Sequence, residues 1–523
     1  MPTATHAVSP HILTDLKYKP LDDFRAEGNG RHEFNLKNLY VYFWRWASWQ
    51  VFENHAESDR GIVCFITVAG FLAGPGFQRM REDLRKKCDA IWVIDCSPEG
   101  HQPVATTRIF QGVQQPICIV LAARWTSGVK EHPATVLWRA LPEGHRQDKF
   151  DELAKLSLSD DAWQDCPPAW REPFLPAAAA SWASYPSLED LFAYGGAGVM
   201  PGRTWIIAPD PASLASRWTR LVSAPAADKE RLFHPHIAKV RKDGKVQDVL
   251  GDRYANRVVT TALAGYAVTE RKVADETGAS VAPVRYGFRS FDRQWIIPDV
   301  RLINRPNPKL WAVRSDKQVY LTAPHDRSPS NGPALTVTAL VPDLHHYNGR
   351  GGRTIPLWAD TDQSNLSSAV LIYLSERFGT EVSAEDLFAY IVGIAAHTEY
   401  TARFQEDLAT PGLRIPLTED NKLFHEVAQV GRHVVWLHTF GERMASASEG
   451  RPASAPRLPD TRRPRVPKDG AIPTDPEHMP DILSYDAGKQ RLQVGSGWIE
   501  PVPLVVWKYE VSGKQVLPQW FSY

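Results

Sequence analysis

The sequence predicts an α/β region built on part of a sheet, followed by a mixed α+β region that contains a long helical hairpin. Three observations predict it. Between Gly61 and Ala123, short continuous apolar runs alternate with one amphipathic stretch, the pattern of strands buried on both faces and a helix. From Ser383 onward two long stretches carry helical periodicity and are joined by "PGLRIPL". The chain closes on "LQVGSGWIEPVPLVVWKYEVSGKQVL", which reads as a hairpin.

The elements follow in order. Residues 1–15 read as a flexible N-terminus, and "MPTATHAVSPHIL" has neither the charged start nor the apolar run of a secretory signal. "NLYVYFWRWASWQVF" (Asn38–Phe52) predicts a helix crowded with rings: Tyr40, Tyr42, Phe43, Trp44, Trp46, Trp49 and Phe52. It includes Arg45 and is shorter than the ~20 apolar residues that span a bilayer, so it is no membrane segment. Most of the rings are expected in the core, and their cluster is also suited to a seam against a further layer. "GIVCFIT" (Gly61–Thr67) reads as a strand, and "GPGF" breaks it. "FQRMREDLRKKC" then places Phe77, Met80 and Leu84 at helical spacing, and "AIWVIDC" and "ICIVLAA" are two more strands. Strand, helix, strand and return strand are too few for a complete doubly wound domain, so residues 16–135 read as part of one. Residues 136–200 are expected to be connecting chain, with the Pro/Ala stretch "CPPAWREPFLPAAAASW" and a short helix capped by Ser187.

Residues 201–523 form the second predicted region. "RTWIIAPD" reads as a strand and "PASLASRWTRLV" as a helix. A Ser383-x-x-Asp386 capping box opens "SAEDLFAYIVGIAAHTEYTARFQEDL", and "EDNKLFHEVAQVGRHVVWLHTFGERM" is the second long helix. Residues 446–480, rich in Pro, Arg and Ser, predict a mobile insertion.

Composition sets limits on function. The 523 residues suffice for two to four domains of roughly 100–200 residues each. Formal net charge is zero, so contact with a nucleic acid must come from local patches. Cys64, Cys88, Cys96, Cys118 and Cys166 show no C-x-x-C spacing and mostly sit in apolar runs. That pattern reads as a reduced cytoplasmic protein without zinc or disulfides.

One local patch stands out. Residues 285–317 carry eight basic side chains against three acidic ones, interleaved with Tyr286, Phe288, Phe291, Trp295 and Trp311. Arginine forks onto phosphates or guanine edges, and rings support such loops or stack on bases. A solvated surface around an aromatic core would have the same composition. Arg350 and Arg353 in "GRGGR" add a second basic loop, where glycine permits close backbone approach to a phosphate. Other patterns are weak. His345-His346 lacks a third ligand at metal spacing, so no metal site is assigned. Asp252 with Glu270-x-Lys272 is spaced as chance allows, and no G-x-S-x-G, H-E-x-x-H or G-K-[ST] phosphate loop occurs.

Read together, the aromatic segment, "GIVCFITVAGFLAGPGFQRMREDL", "DAIWVIDCSPEG" and "QPICIVLAAR" resemble the second half of an adenine-N6 DNA methyltransferase. In particular they are similar to the single-polypeptide, Type ISP, restriction-modification enzymes. The resemblance continues through "GRTWIIAPDP", "YGFRSFDRQWIIPDVRLINRPNPKLW", "LHHYNGRGGRTIPLW" and "VWKYEVSGKQVLPQWFSY". It implies that the aromatic helix follows a catalytic loop, that the strands complete a methyltransferase sheet, and that the C-terminal region recognises a DNA target. Under it, Arg289, Arg293, Trp295, Arg301, Arg305, Arg350 and Arg353 are the candidate DNA contacts.

The family's N-P-P-[YF] loop, which holds the flipped adenine, does not occur in the sequence. The nearest string, "DCPPAW" (Asp165–Trp170), has Ala169 where the ring belongs and reads as a connector. "GNGRH" (Gly28–His32) precedes a predicted helix but follows no strand, so no residue is assigned to the cofactor and none to catalysis. S-adenosylmethionine is accordingly expected in the complete enzyme and not on this chain alone. The expected partners are double-stranded DNA and a polypeptide with the N-terminal methyltransferase and helicase-nuclease parts, with no membrane. Two alternatives stand beside this reading: a self-sufficient methyltransferase with a divergent loop, and a non-catalytic interaction protein.

Overall fold

The computed structural model describes residues 20–521 except 26–29, 56–57, 101, 127, 178–180, 226–227, 230–231, 233–238, 241–245, 248–262, 267–272, 326, 348–351, 473–479 and 481. The chain divides into two compact units, Met1–Ser184 and Tyr185–Tyr523.

In the first unit the aromatic segment forms helix α1 (Leu39–Phe52), followed by β1 (Gly61–Val68), α2 (Gln78–Lys87), β2 (Ala90–Asp95), β3 (Ile117–Arg124) and β4 (Thr135–Ala140). A short helix α3 (Arg146–Leu153) and β5 (Gln164–Asp165) complete it. The sheet order is β1-β3-β2-β4-β5, with β3 antiparallel to both neighbours and β2 parallel to β4. Val63, Ile91, Val93, Val120, Ala122 and Val136 pack with Trp44 and Phe52 of α1 and with Met80 and Leu84 of α2. Burying such side chains stabilises by about 1.5–3 kcal/mol each. Trp44 fixes α1 against β1 and the following turn, its ring centroid 4.9 Å from Phe65 and 5.8 Å from Phe71.

Residues 136–184, read from the sequence as connecting chain, add β4, β5 and the fully buried Phe174 to this unit. Two buried arginines of α2 explain why an irregular segment holds its place. Arg85 donates to the carbonyls of Glu172 (2.6 Å) and Pro167 (2.9 Å), and Arg81 to those of Phe71 and Gly74 (both 2.9 Å). Burial pulls the Arg85 guanidinium down to about 10, so it stays charged at neutral pH. Hydrogen bonds from a charged donor contribute roughly 1.5–3 kcal/mol each, which anchors "DCPPAW" without regular structure. Gly30–Lys37 is a 3₁₀ segment, while Gly28 and Asn29 lie outside the described residues.

The second unit holds three sheets of three or four strands. Helix α4 (Leu188–Leu191) and β6 (Gly196–Ala197) lead into β7 (Ile207–Ala208) and α5 (Pro211–Ser223). Then come β8 (Val284–Gly287), β9 (Arg293–Ile296), α6 (Pro308–Ala312), β10 (Tyr320–Pro324), β11 (Thr336–Thr338) and β12 (Gly352–Pro356). β8-β9-β7 form one sheet and β11-β10-β12-β6 another, and Trp205, Trp218, Tyr286, Ile296, Trp311 and Tyr320 meet in one core.

Helix α7 (Ser368–Phe378) precedes α8 (Ala384–Ala395), α9 (Thr398–Arg403) and α10 (Asn421–His438). The stretch predicted as one helix from Ser383 therefore ends at Ala395. His397 is extended and its ring accepts from the Glu399 amide, capping a new short helix. α8 and α10 approach closely at two glycines. A Cβ on Gly431 would lie 1.8 Å from the Ala389 carbonyl oxygen, and one on Gly393 2.6 Å from that of Val427. The Pro/Arg/Ser-rich segment is tied down where it is described. Trp436 Nε1 donates to Pro452 (2.9 Å), and Arg465 and Glu500 exchange backbone hydrogen bonds. The chain closes on β13 (Leu483–Asp486), β14 (Arg491–Val494) and β15 (Gly497–Ile499).

Candidate nucleic-acid interface

β8 and β9 pair in antiparallel register, with Arg285 opposite Trp295 and Gly287 opposite Arg293. The turn between them is held from beneath by a buried polar network. Tyr286 Oη donates to Asp343 (2.9 Å), Arg289 Nη1 donates to the other oxygen of Asp343 (3.3 Å), and Ser290 Oγ donates to the His346 carbonyl (2.8 Å). The His346 ring meets Thr322 Oγ1 at 2.9 Å. Burial pushes the Asp343 carboxyl up to about 6 against the pull of Arg289, and it lowers His346 to about 3, so that ring is neutral. The His345-His346 pair thus serves as scaffold, and among the described residues no group of three or more His, Cys, Asp or Glu is placed to hold a metal.

The seven residues singled out from the sequence fall into different environments. Arg289 lies over the Phe288 ring at 3.8 Å and is spent on Asp343, so it positions the turn. Arg293 sits 5.0 Å from the Phe440 ring, pairs with Glu442 and keeps a quarter of its side chain exposed. Trp295 is half-buried, and the exposed Arg285 lies 4.7 Å from its ring. Arg305 is exposed, while its backbone exchanges two 2.9 Å hydrogen bonds with Met200. Arg353, on β12, pairs with Glu189. Arg350 lies outside the described residues, as do Asp252, Glu270 and Lys272.

Arg301 is the correction. Its side chain is 3% exposed and bonded to Asp299 and Glu276, each at 2.6 Å. Two carboxylates neutralise it inside the fold, so it is a structural group and no surface contact. Arg285 and Glu442 were not singled out. The alternation of β8 and β9 is the signal that pairs Arg285 with Trp295, whereas nothing local to Glu442 points to Arg293.

Cations cap rings elsewhere in the same block. Lys309 lies 4.7 Å from the Tyr194 ring and Arg314 5.2 Å from that of Tyr266. Such pairs contribute roughly 0.5–1 kcal/mol at exposed sites, and they present a flat, charged surface. Behind Arg293, a crevice lined by Phe291, His346, His438 and Phe440 leaves about 10 Å³, space for one water and far less than a base requires. The arrangement therefore suits contact along a backbone or groove edge, not capture of a base in that crevice.

A basic surface of this kind on small sheets agrees with what the chain is similar to. Residues 190–523 match the Type ISP C-terminal specificity domain, and the chain belongs to that family. Among solved structures it is similar to a nuclease-deletion mutant of the Type ISP restriction-modification enzyme LlaGI in complex with a DNA substrate mimic. That match has a TM-score of 0.47 at 14% identity, over 96% of this chain and 38% of that one. The DrdV–DNA complex gives 0.44 at 17% identity, over 92% and 47%. The ATP-dependent Type ISP enzyme LlaBIII bound to DNA gives 0.46 at 15% identity, over 96% and 32%. The chain thus spans less than half the length of each. No curated protein matches it.

Proposed function

We propose that the chain is the target-recognition part of a Type ISP-like restriction-modification, phage-defence system, binding duplex DNA sequence-specifically. The observation that supports this best is the exposed row of ring-backed cations, Arg285, Arg293, Lys309 and Arg314, with Arg305, on a Type ISP specificity domain. In this reading the β8–β9 turn is preorganised by Tyr286, Asp343 and Arg289, so little ordering entropy is lost on binding. The ring-backed arginines meet phosphates or base edges, and Arg353 and Arg350 extend the footprint.

We further propose that the first unit is the second half of a methyltransferase sheet, completed by another polypeptide that carries the catalytic loop. The methyl donor of the complete enzyme would be S-adenosylmethionine and the target an adenine N6. This chain's residues do not fit a site for that donor by themselves, since no glycine-rich turn follows a strand and no N-P-P-[YF] occurs. The five free cysteines fit a reducing cytoplasm, and no helix among the described residues is long and apolar enough to cross a membrane. The test is fluorescence anisotropy on mixed-sequence and target duplexes. Arg285→Ala and Arg305→Ala should each weaken binding, by about 1–3 kcal/mol where the arginine reads a base. Unaltered affinity in both would remove this surface from the interface.

A further inference from the structure

Helix α1 buries one stripe and presents another. Val41, Trp44, Ala47, Ser48 and Phe52 are buried. Leu39, Tyr42, Phe43 and Trp46, at spacing i, i+3, i+4, i+7, are 74%, 42%, 59% and 61% exposed. That spacing is a single helix face, and here it is wholly apolar. Beneath α1, strand β1 repeats the pattern. Val63 and Phe65 face α1, while Ile62, Cys64 and Ile66 point to the opposite side and are exposed. On that side Cys64 lies opposite Leu121, and Leu121 opposite Trp92, both only half-buried. Further across the sheet, Ile109, Val113 and Leu153 cover Ile117 and Ile119; toward β1 the cover stops.

β1 is also an edge. It pairs with β3 alone, so the other side of its eight-residue backbone meets no strand among the described residues. An open backbone edge pairs readily with a further strand. An apolar helix face above, a bare sheet face below and an unpaired edge between them converge on one strand. We propose that this edge is a docking surface for a polypeptide that continues the sheet, adding a strand beside β1 and laying apolar helices over both faces. The proposal rests on the reading of this chain as the recognition part of a larger assembly.

A second copy of the chain fits less well. Pairing β1 with β1 of another copy, about a two-fold axis normal to the sheet, places both α1 helices on the same side. Ile62 and Ile66 of both copies would then share the other side and remain bare. A three-layer α/β partner covers both sides at once.

The experiment mixes this chain with the polypeptide encoded directly upstream of it, produced separately, and measures mass by light scattering and affinity by calorimetry. A 1:1 complex is expected. The pairs Phe43→Ser with Trp46→Ser, and Ile62→Lys with Ile66→Lys, should each weaken it about tenfold or more. Cys64 should react with a maleimide in the free chain and be protected in the complex, a readout that needs no substitution. Thermal melts of the variants should match the unmodified chain, because all four side chains are exposed. No complex, a complex indifferent to both pairs, or a homodimer that both pairs disrupt would overturn the proposal. Duplex DNA titrations on the same samples keep the two questions apart. Loss of DNA binding by the unmodified chain would defeat the recognition reading, whereas failure to dock with DNA binding intact would defeat only this surface.

Discussion

Aromatic rings reach the surface in two regions, and their neighbours differ. On α1, Tyr42, Phe43 and Trp46 stand exposed beside Leu39, and none is capped by a cation. Around β8 and β9 the rings of Trp295, Phe440 and Tyr266 each carry an arginine over the face or edge. A bare ring gains from apolar cover, which removes about 25 cal/mol per Å² of unfavourable hydration. A ring beneath a guanidinium keeps its charge facing outward, and cover by another apolar surface would strand that charge. The first surface therefore suits a protein layer and the second a polyanion.

Salt should separate the two most strongly. A footprint of six to ten phosphates loses about 10³–10⁵ in affinity between 50 and 200 mM salt, with a log–log slope near −0.9 per contact. Docking at α1 and β1 should change far less over that range, because apolar burial is not screened. Parallel titrations with duplex DNA and with the upstream polypeptide measure both slopes. Equal slopes would dissolve the distinction drawn from the rings.

Arg301 sharpens the comparison from inside the basic block. Arg301→Ala leaves Asp299 and Glu276 buried without their cation, a loss of about 3–5 kcal/mol when one partner of a buried pair is removed. Chemical denaturation should show that loss, while the folded fraction retains its DNA affinity. A variant of full stability with weakened DNA binding would return Arg301 to the interface.

The fate of Arg301 also marks the limit of what the sequence makes legible. The apolar runs of β1, β2 and β3 and the spacing of Phe77, Met80 and Leu84 are local patterns, and each is an element of the fold. The order β1-β3-β2 depends on pairing between distant segments and leaves no local trace. The break at His397 was hidden because helical periodicity continues through it, and only the cap on Glu399 ends α8. In the candidate site, composition singles out a basic aromatic block but cannot sort its arginines. Glu276 lies 25 residues from Arg301, and Glu442 lies 149 residues from Arg293. Those partners decide which guanidinium is enclosed and which is at the surface.

A smaller effect comes from Asp343, whose buried carboxyl is lifted to about 6. Its folded-state pKa exceeds the unfolded value of about 3.9, so the native state binds the proton more tightly. The stability this contributes is fully present below about pH 4 and is lost as pH rises through about 6, at most about 3 kcal/mol. Asp343→Asn should remove that slope. Melting curves from pH 4 to 7 that fall equally in both proteins would show that Asp343 keeps its proton affinity unshifted by folding.

The smallest expected effect lies where the basic surface carries its own anion. Arg293 pairs with Glu442, and the two side chains are 25% and 36% exposed. The guanidinium is held over Phe440, so it need not move far to exchange a carboxylate for a phosphate. DNA binding must then break or share this pair, and a solvent-exposed ion pair stabilises by only about 0.2–1 kcal/mol. Glu442→Gln keeps the shape and removes the competitor. DNA affinity should rise by up to about fivefold, and the gain should vanish when Arg293→Ala is added, since the two residues act through one contact. An equal gain with Arg293 absent would mean that Glu442 repels the phosphates directly, and that Arg293 is no more part of the interface than Arg301.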